Sequence, residues 1–399
     1  MHTRDRVCGA TALRHTGSVH IPFAVSERST IGIEWELALV DADSGDLRQV
    51  AMTVLDAVRP RDATEHPSIK QELLLNTVEV VSSVGRTARE AGADLQRAID
   101  EIREVSDPLR VELMCAGTHP FARWDHQKMT NKARYQTLID RTQWWGRQML
   151  IYGVHVHVGI EDRDKVLPIS AAMLSYYGHL QALSASSPYW GGEDTGYASN
   201  RALMFQQLPT AGLPFQFQEW SEFEAYAADL LKTGVIDVLD EIRWDLRPSP
   251  KFGTLEVRVC DGIPSLDEVV SISALTHCLV EYFSSELDAG RTLPNLPPWF
   301  SQENKWRSAR YGMDSILILN EQADEDLVTT DLKRLLAQLE PVADRLGCLD
   351  DLDGVNRIIA TGASYQRQRA VAEQHHGELD AVVAALVAEM RAGHPLPAR

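Results

Sequence analysis

The sequence predicts an α+β protein in which a mostly antiparallel sheet is flanked by helices. Three segments have the alternating pattern of strands with one apolar face, at residues 31–37, 153–159 and 254–259. Helical segments of unequal length separate them, without the regular strand–helix–strand order that builds a parallel sheet. The chain has 399 residues, of which 44% are apolar, so it can bury a substantial core.

Each of these three segments places a pair of polar side chains opposite its apolar face. Alternate side chains of a strand point to opposite faces, so residues two apart lie together. The pairs are Glu34 with Glu36, His155 with His157, and Glu256 with Arg258. Any one pair could be the solvent-facing side of a half-covered antiparallel sheet. Three such pairs in one chain favour a functional site.

The acidic residues and one histidine predict a site for divalent cations. Mg²⁺ prefers oxygen ligands, and Mn²⁺ accepts a histidine more readily. The spacing of Glu72 and Glu79 cannot place both on one face of an unbroken strand, so a bulge or loop near Asn76 is predicted. The candidate ligands for two or three ions are Glu34, Glu36, Glu72, Glu79, His155 and Glu256. A zinc site built on the two histidines is the weaker alternative, because the pair lies in mid-chain behind several acidic segments.

Periodicity and turn residues predict the remaining elements. A hairpin is expected from residues 30–40 and 47–51, and another strand at 111–116. Helices are expected at 87–105, 130–150, 166–187, 265–287, 330–347 and 363–392. The helix at 166–187 is apolar nearly all round, which predicts burial within the monomer or in a homo-oligomer interface. Residues 1–26 are expected to form a flexible N-terminal tail, residues 27–392 a single domain, and residues 393–399 a C-terminal tail.

The net charge, the lengths of the apolar segments and the cysteine content argue against several classes of function. A formal charge of −18 argues against nonspecific binding to nucleic acid or anionic membranes, since both need a basic surface. It permits ATP binding, because Mg²⁺ can bridge carboxylates and phosphates. No segment has the length and apolarity of a membrane span or secretory signal. The five dispersed cysteines suggest no disulfide framework and favour a reducing, cytoplasmic compartment.

The usual phosphate-binding and nucleophile motifs are missing from the sequence. There is no P-loop, no dinucleotide-binding glycine motif and no nucleophile elbow. Phosphate binding would then fall to metal ions and to arginines, whose guanidinium groups grip phosphate or carboxylate with two hydrogen bonds. The candidates are Arg201, Arg258, Arg307 and Arg310, of which Arg307 is better explained as an ordinary surface arginine.

Six motifs together resemble the type 2 glutamate–cysteine ligase family, also called carboxylate–amine ligases. They are IGIEWEL at 31–37, NTVE at 76–79, GVHVHVG at 153–159, DTGYASNR at 194–201, TAGLP at 210–214 and LEVRVCD at 255–261. The resemblance runs from about residue 29 to residue 390. It implies a glutamine synthetase-like catalytic domain over residues 27–392, with ATP and divalent metals on the open face of a curved, mostly antiparallel sheet.

The resemblance also implies a role for each candidate residue. Glu34 and Glu36 would bind two different metals, and Glu72 with Glu79 would complete the one nearer the amino-acid substrate. His155 and Glu256 would hold the metal nearer the ATP phosphates. His157 would face the substrate, and Arg201 and Arg258 would meet phosphate or acyl-phosphate oxygens. Arg310 is a further candidate for nucleotide binding that does not depend on the resemblance. Asp194 is a candidate for the base that deprotonates the amine.

The implied activity is an ATP- and Mg²⁺-dependent ligase, with Mn²⁺ as the alternative metal, that forms an amide through an acyl phosphate. The carboxylate would be glutamate or a similar acid, and the amine would be cysteine or another small amine. Three alternatives remain open at this point. They are a phosphotransferase of the same fold, such as a guanidino kinase, a metal-dependent amide hydrolase that needs no ATP, and a nucleotide-binding protein without turnover.

Overall fold

A computed structural model describes residues 19–397 of the chain. Within this range the strands are β1 Ile31–Asp41, β2 Ile69–Gln71, β3 Thr77–Val81, β4 Val111–Met114, β5 Gly153–Gly159, β6 Tyr189–Trp190, β7 Glu193–Asp194, β8 Leu246–Ser249, β9 Thr254–Asp261, β10 Ile316–Ile318 and β11 Glu325–Leu327. The helices are α1 Ala51–Val58, α2 Ala88–Ser106, α3 Ala133–Thr142, α4 Trp144–Arg147, α5 Arg163–Met173, α6 Tyr177–Ser184, α7 Asn200–Phe205, α8 Trp220–Thr233, α9 Leu266–Asp288, α10 Pro298–Tyr311, α11 Val328–Leu346, α12 Leu349–Thr361, α13 Ser364–Gln374 and α14 Leu379–Ala392.

A seven-stranded antiparallel sheet organises the fold. Its strand order is β2-β3-β1-β5-β9-β8, and β4 continues the β5 side of β1. β1 is central because it pairs with β3 along one edge and with β5 and then β4 along the other. The predicted α+β class with an antiparallel sheet is therefore confirmed.

The apolar face of the sheet carries the main core. In the first part of β1, Ile31, Ile33, Trp35 and Leu37 are fully buried, whereas the alternating Gly32, Glu34 and Glu36 are only partly buried. α2 and α9 pack against this face, and their contacts extend over β1, β3 and β5. Because this face is buried, the polar side chains lie together on the opposite face of the sheet.

α9 begins where the sequence predicted a helix. Ser265 is its N-cap, and the Ser265 hydroxyl accepts a hydrogen bond from the backbone N–H of Glu268. This satisfies one of the free donors at the helix start. The helix is then buried over most of its length, so it forms one wall of the core rather than a surface helix.

Several predicted elements differ from the observed ones. Residues 47–51 form a single bridge from Leu47 to Val40 and then enter α1, because Ala51, Val54 and Val58 are buried on one helical face. The helix predicted at 130–150 is broken into α3 and α4 at Gln143, which has a φ of 50°. The helix predicted at 363–392 is broken between α13 and α14, where Gly377 has a φ of 90°. The helix expected to start at Thr330 begins at Val328.

The apolar segment predicted as one helix at 166–187 forms α5 and α6, joined by a short 3₁₀ turn at Leu174–Tyr176. Every residue of α6 is buried within the monomer. Burial inside the chain therefore accounts for its composition.

The N-terminal boundary lies earlier than predicted. Residues 1–18 of the expected tail lie outside the described range, but residues 19–26 pack against α8. Ile21 is 1% exposed, its N–H donates to Glu224 Oε1 at 2.8 Å, and its carbonyl accepts from Trp220 Nε1 at 3.1 Å. The packed part of the chain thus begins before residue 27. No helix between residues 19 and 397 is long and apolar enough to cross a bilayer.

Candidate active site

The register of the sheet brings the polar pairs of different strands face to face. Glu34 lies opposite His155 across β1 and β5, and Glu36 lies opposite Glu79 across β1 and β3. His157 lies opposite Glu256 across β5 and β9. Facing residues in antiparallel strands have Cβ atoms about 5 Å apart, so these side chains meet over the sheet. Glu72 joins them from the loop between β2 and β3, close to where a break in the strand was predicted.

Three groups of ligand-type atoms form over this face. In each group the carboxylate oxygens and imidazole nitrogens lie within 4.8 Å of one another. The groups are Glu34 with Glu79 and His155, Glu34 with His157 and Glu256, and Glu36 with Glu72 and Glu79. Glu256 therefore lies with His157, whereas the family resemblance had paired it with His155. The geometry gathers all six predicted ligands, and their individual roles stay predictions.

In the acidic group of Glu36, Glu72 and Glu79, the nearby arginines do not offset burial and mutual repulsion. Burial raises the pKa of all three carboxyls, and Coulomb repulsion from Glu72 adds to this at Glu36 and Glu79. The pKa of Glu36 rises to about 7. One Glu36 oxygen accepts a hydrogen bond from Gly153 N at 2.6 Å. A bound cation would relieve the repulsion, so the charge of this group fits a metal.

The two histidines have different surroundings. Burial, with the nearby charge of Arg258, lowers the pKa of His155 to about 4, so its imidazole is neutral and has a free lone pair. Burial also lowers the pKa of His157, but the Glu256 and Glu34 carboxylates outweigh it and the net shift is upward. Nδ1 of His157 contacts Thr254 Oγ1 at 2.9 Å, and its Nε2 is buried 3.4 Å from Glu34 Oε1 without hydrogen-bond geometry. A set of oxygens and imidazole nitrogens suits Mg²⁺ or Mn²⁺.

Burial opposes ionisation of Glu34, but its hydrogen bond with His155 and the adjacent imidazole of His157 lower its pKa below the ordinary value. Glu34 Oε2 lies 3.1 Å from His155 Nδ1. Glu34 is therefore an anion at neutral pH and contributes to two of the three groups. A carboxylate shared in this way could bridge two cations.

Arginines line the other side of the site. Arg258 forms an ion pair with Glu256, and Arg247 donates to the same carboxylate from Nε at 2.6 Å and Nη2 at 3.2 Å. Arg201 is 4% exposed, and its Nη1 donates to the carbonyl of Arg258 at 3.3 Å. The Arg201 and Arg258 guanidinium carbons lie 5.9 Å and 5.7 Å from the ring centroid of Phe205. Within residues 19–397, Nε of both arginines is buried without a hydrogen-bond partner.

Two cavities meet at Glu72 and Arg134, which line both of them. The first has a volume of about 350 Å³ and is bordered by Glu36, His155, Arg201, Arg243, Arg247, Arg258, Tyr135 and Phe205, among others. The second has a volume of about 390 Å³ and contacts Glu79, Lys70, Lys132 and Arg59. The acidic group therefore lies between two polar spaces, each lined by several cationic side chains.

Two residues singled out in the sequence lie away from these cavities. Arg310 on α10 donates to the carbonyl of Gly196 and lies over the rings of Tyr197 and Tyr311, 5.6 Å and 5.1 Å from their centroids. Asp194 on β7 accepts two hydrogen bonds from Arg369, at 3.0 Å and 2.7 Å. Neither residue borders either of the two cavities.

The site contains several residues that were not predicted from the sequence. They are Arg134, Tyr135, Phe205, Arg243 and Arg247. Arg247 carried a usable signal, because the flanking Leu246 and Pro248 are buried and it alternates with them on β8. Its register places it opposite Glu256. The others lie on helices or loops, where no local pattern distinguishes a site residue from a surface one.

The glycines that flank the β5 motif have different neighbours. A Cβ built on Gly153 would overlap the guanidinium of Arg201, and one on Gly159 would overlap the carbonyl of Glu27. An arginine of the site therefore approaches the backbone closely at Gly153, and the N-terminal segment does so at Gly159.

The sequence is similar to one known protein family and to several of its members. The sequence profile of glutamate-cysteine ligase family 2 matches residues 30–385. A protein of Arthrobacter sp. (strain FB24) with the provisional name glutamate–cysteine ligase 2-1 is 59% identical over 378 residues, which cover 94% of this chain and 99% of the relative. A protein of Mycobacterium tuberculosis (strain ATCC 25177 / H37Ra) with the provisional name glutamate–cysteine ligase 2 is 57% identical over 373 residues, covering 94% and 98%.

Solved structures of ligases share the fold. A glutamate–cysteine ligase from Francisella tularensis in complex with AMP matches with a TM-score of 0.65 and 14% identity, covering 92% of this chain and 90% of that one. A ligase called PafA, solved with the prokaryotic ubiquitin-like protein Pup, matches with a TM-score of 0.50 and 13% identity, covering 89% and 71%. At this identity the likeness shows the fold alone, which is that of glutamine synthetase-like ligases. The family profile and the close relatives together show that the chain belongs to glutamate–cysteine ligase family 2.

Proposed function

We propose that this protein is an ATP-dependent carboxylate–amine ligase that joins glutamate, or a similar acid, to an amine through an acyl phosphate. Cysteine is the amine suggested by the names of its relatives. The observation that carries the proposal is the convergence of three carboxylate and imidazole groups with buried arginines beside one cavity. Such a site suits the transfer of a phosphoryl group between anions.

The proposed chemistry begins with two negatively charged reactants. The substrate carboxylate attacks the γ-phosphorus, ADP leaves, and the amine then displaces phosphate from the acyl carbon to form the amide. Arg201 and Arg258 line the cavity and would bind phosphoryl oxygens, where fixed positive charge stabilises the transition state. Mg²⁺ held by the three ligand groups would neutralise the triphosphate when bound.

The two cavities support a reaction with more than one substrate. They share Glu72 and Arg134, so molecules bound in the two spaces would approach each other beside the acidic group. Holding two reactants in one orientation supplies much of the rate enhancement in such reactions. The carboxylate and the amine would occupy these two neighbouring cavities, one substrate in each.

The test is direct product analysis with the full-length protein. Purified protein is incubated with ATP, Mg²⁺, glutamate and a panel of amines that includes cysteine, and ADP and new amides are followed by mass spectrometry. We expect one ADP for each amide formed, with both products dependent on the two substrates. Replacement of Mg²⁺ by EDTA is expected to stop both.

Other outcomes favour the alternatives. ADP and a stable phosphorylated product without an amide would indicate a phosphotransferase. Cleavage of an amide without ATP would indicate a metal-dependent hydrolase. If no carboxylate and amine in the panel accelerates ADP release, the ligase proposal fails for this substrate class.

A further inference from the structure

We propose that Asp261 and Ser187 form a buried hydrogen-bonded relay that positions Arg201 in the site. Asp261 is the last residue of β9, three positions beyond Arg258. Both relay residues are buried and border neither active-site cavity, so they would act through Arg201. The inference rests on the proposed function only in taking Arg201 as a ligand-binding residue.

The carboxylate of Asp261 gathers three donors from one segment of chain. Its Oδ2 accepts from Ser186 N at 3.0 Å and from the hydroxyl of Ser187 at 2.7 Å, and its Oδ1 accepts from the hydroxyl of Ser199 at 2.8 Å. Asp261 is 1% exposed and the three serines are fully buried. Hydrogen bonds to a buried carboxylate are strong, so this end of β9 holds the 186–199 segment in one position.

Ser187 connects the Asp261 carboxylate to the backbone of Arg201. The same hydroxyl that donates to Asp261 accepts a hydrogen bond from Arg201 N at 3.0 Å. Ser199, the other hydroxyl bound by Asp261, is the residue before α7, which begins at Asn200. Ser187 and Ser199 also pair through a backbone bridge. The start of α7, and with it the backbone of Arg201, is thereby fixed to the strand that carries Glu256 and Arg258.

The side chain of Arg201 is fitted closely at its other end. Its guanidinium covers Gly153 so tightly that a Cβ there would overlap it. Its Nη1 donates to the carbonyl of Arg258 at 3.3 Å. A small shift of the α7 backbone would therefore move the guanidinium relative to bound ligands, and displacements of about 1 Å can cost on the order of a hundredfold in rate.

The neighbouring Ser186 provides a matched control. Ser186 and Ser187 are adjacent and each is fully buried. The Ser186 hydroxyl also makes two hydrogen bonds, accepting from Gly117 N at 2.7 Å and donating to the carbonyl of Gly262. Its side chain contacts neither the Asp261 carboxylate nor Arg201 through these bonds. Ser186→Ala and Ser187→Ala therefore remove similar interactions, and only the second lies in the relay.

The experiment measures both variants, with Arg201→Lys and the double variant Ser187→Ala with Arg201→Lys. In a deuterated sample, the Nε–Hε signals of the arginines are recorded by NMR, and the Arg201 signal is assigned by its loss in Arg201→Lys. We expect Ser187→Ala to shift or broaden the Arg201 signal, and Ser186→Ala to leave it in place. In the ligase assay, kcat should fall about tenfold or more in Ser187→Ala with the KM for ATP within about twofold, and Ser186→Ala should retain kcat within about threefold.

The double variant separates positioning from general stability. If Ser187 acts through Arg201, then Ser187→Ala should reduce kcat much less in the Arg201→Lys background than in the wild type. Equal effects of the two serine variants on kcat, or an unmoved Arg201 signal in Ser187→Ala, would overturn the relay. The NMR readout needs no turnover, so a failure of the ligase proposal is distinguishable from a failure of this one.

Discussion

Glu36 is the residue at which the charge of the site is least balanced. Its carboxylate is buried beside Glu72 and Glu79, and its pKa rises to about 7. Arg201 and Arg258 act in the opposite direction but do not offset burial and repulsion. A bound cation would stabilise the ionised form of the Glu36 carboxylate, and only the ionised form can act as a metal ligand.

Glu36→Gln is therefore expected to reduce ADP and amide formation by at least about a hundredfold while the protein stays folded. The substitution removes repulsion, so thermal stability without Mg²⁺ should be equal to or above that of the wild type. Thermal unfolding with and without Mg²⁺ checks this, because the wild type should gain more stability from the ion. Full activity of Glu36→Gln would remove Glu36 from the metal site.

His119 makes a contribution to stability that depends on pH. Its Nδ1 accepts from Phe121 N and Ala122 N, and its Nε2 lies 2.9 Å from the carbonyl of Gly45, so the neutral ring with a proton on Nε2 satisfies all its partners. Burial lowers the pKa of His119 to about 4, below the ordinary value of 6.5. The unfolded chain therefore takes up a proton before the folded one does as the pH falls.

Stability should thus be unaffected by His119 above about pH 6.5 and should be lost progressively between pH 6.5 and pH 4. With a folded pKa of about 4, the loss between pH 7 and pH 5 is roughly 2 kcal/mol. Urea unfolding at the two pH values should show a smaller decrease for His119→Gln than for the wild type. The exposed His126 is the control, and His126→Gln should behave as the wild type. An unchanged decrease in His119→Gln would contradict the assignment.

At the scale of elements, β5 is the strand that joins the acidic residues of β1 to those of β9. It pairs with β1 on one side and β9 on the other, so its histidines meet acidic residues from both neighbours. Its first residue, Gly153, donates its N–H to Glu36 and supports the guanidinium of Arg201. A glycine here serves packing between a strand and a side chain and does not serve a turn.

Gly153→Ala should therefore affect turnover more than folding. The added methyl group overlaps the flexible end of Arg201, which can move away, so we expect kcat/KM to fall by about ten- to a hundredfold. The free energy of unfolding should change by no more than about 1 kcal/mol. Gly32→Ala on β1 is the control, because a Cβ there meets its nearest neighbours at 3.9 Å. Equal activities of the two variants would show that Arg201 tolerates displacement.

At the scale of the whole molecule, the segment before β1 contacts elements from later parts of the chain. Phe23 packs edge-to-face on Trp220, and Ala24 N donates to the carbonyl of Pro250 at 2.8 Å. Arg28 then bonds Glu281 and Asp288 near the end of α9. These contacts link the N-terminal segment to α8, to the β8–β9 turn and to α9, which are distant in sequence.

Removal of residues 2–26 should consequently be more destabilising than removal of residues 2–18. The difference isolates the described segment, whose buried Ile21 and hydrogen bonds we expect to contribute about 2 to 4 kcal/mol. Chemical denaturation of the two truncated proteins measures it. Equal stabilities would mean that the packing of residues 19–26 adds nothing to the folded state.

Much of the fold and of the site could be predicted because the relevant patterns are local. Period-two alternation identified β1, β5 and β9, helical periodicity identified α2, and the capping-box pattern of Ser265 and Glu268 identified the start of α9. Prediction failed where the backbone departs from such periods. The breaks at Gln143 and at His376–Gly377 depend on residues with positive φ. α1 was not predicted, because its apolar pattern spans only two turns.

The sequence by itself determined which side chains share a face, because alternation along a strand follows from backbone geometry alone. Glu34 with Glu36 and His155 with His157 could therefore be assigned together before any strand order was known. Only the tertiary structure decided which strands became neighbours and in what register, and so that Glu256 lies beside His157 and Arg247 beside Glu256. It also decided that Arg201 enters the site and Arg310 does not. Strand pairing and helix docking depend on contacts between residues far apart in the chain, which no local pattern contains.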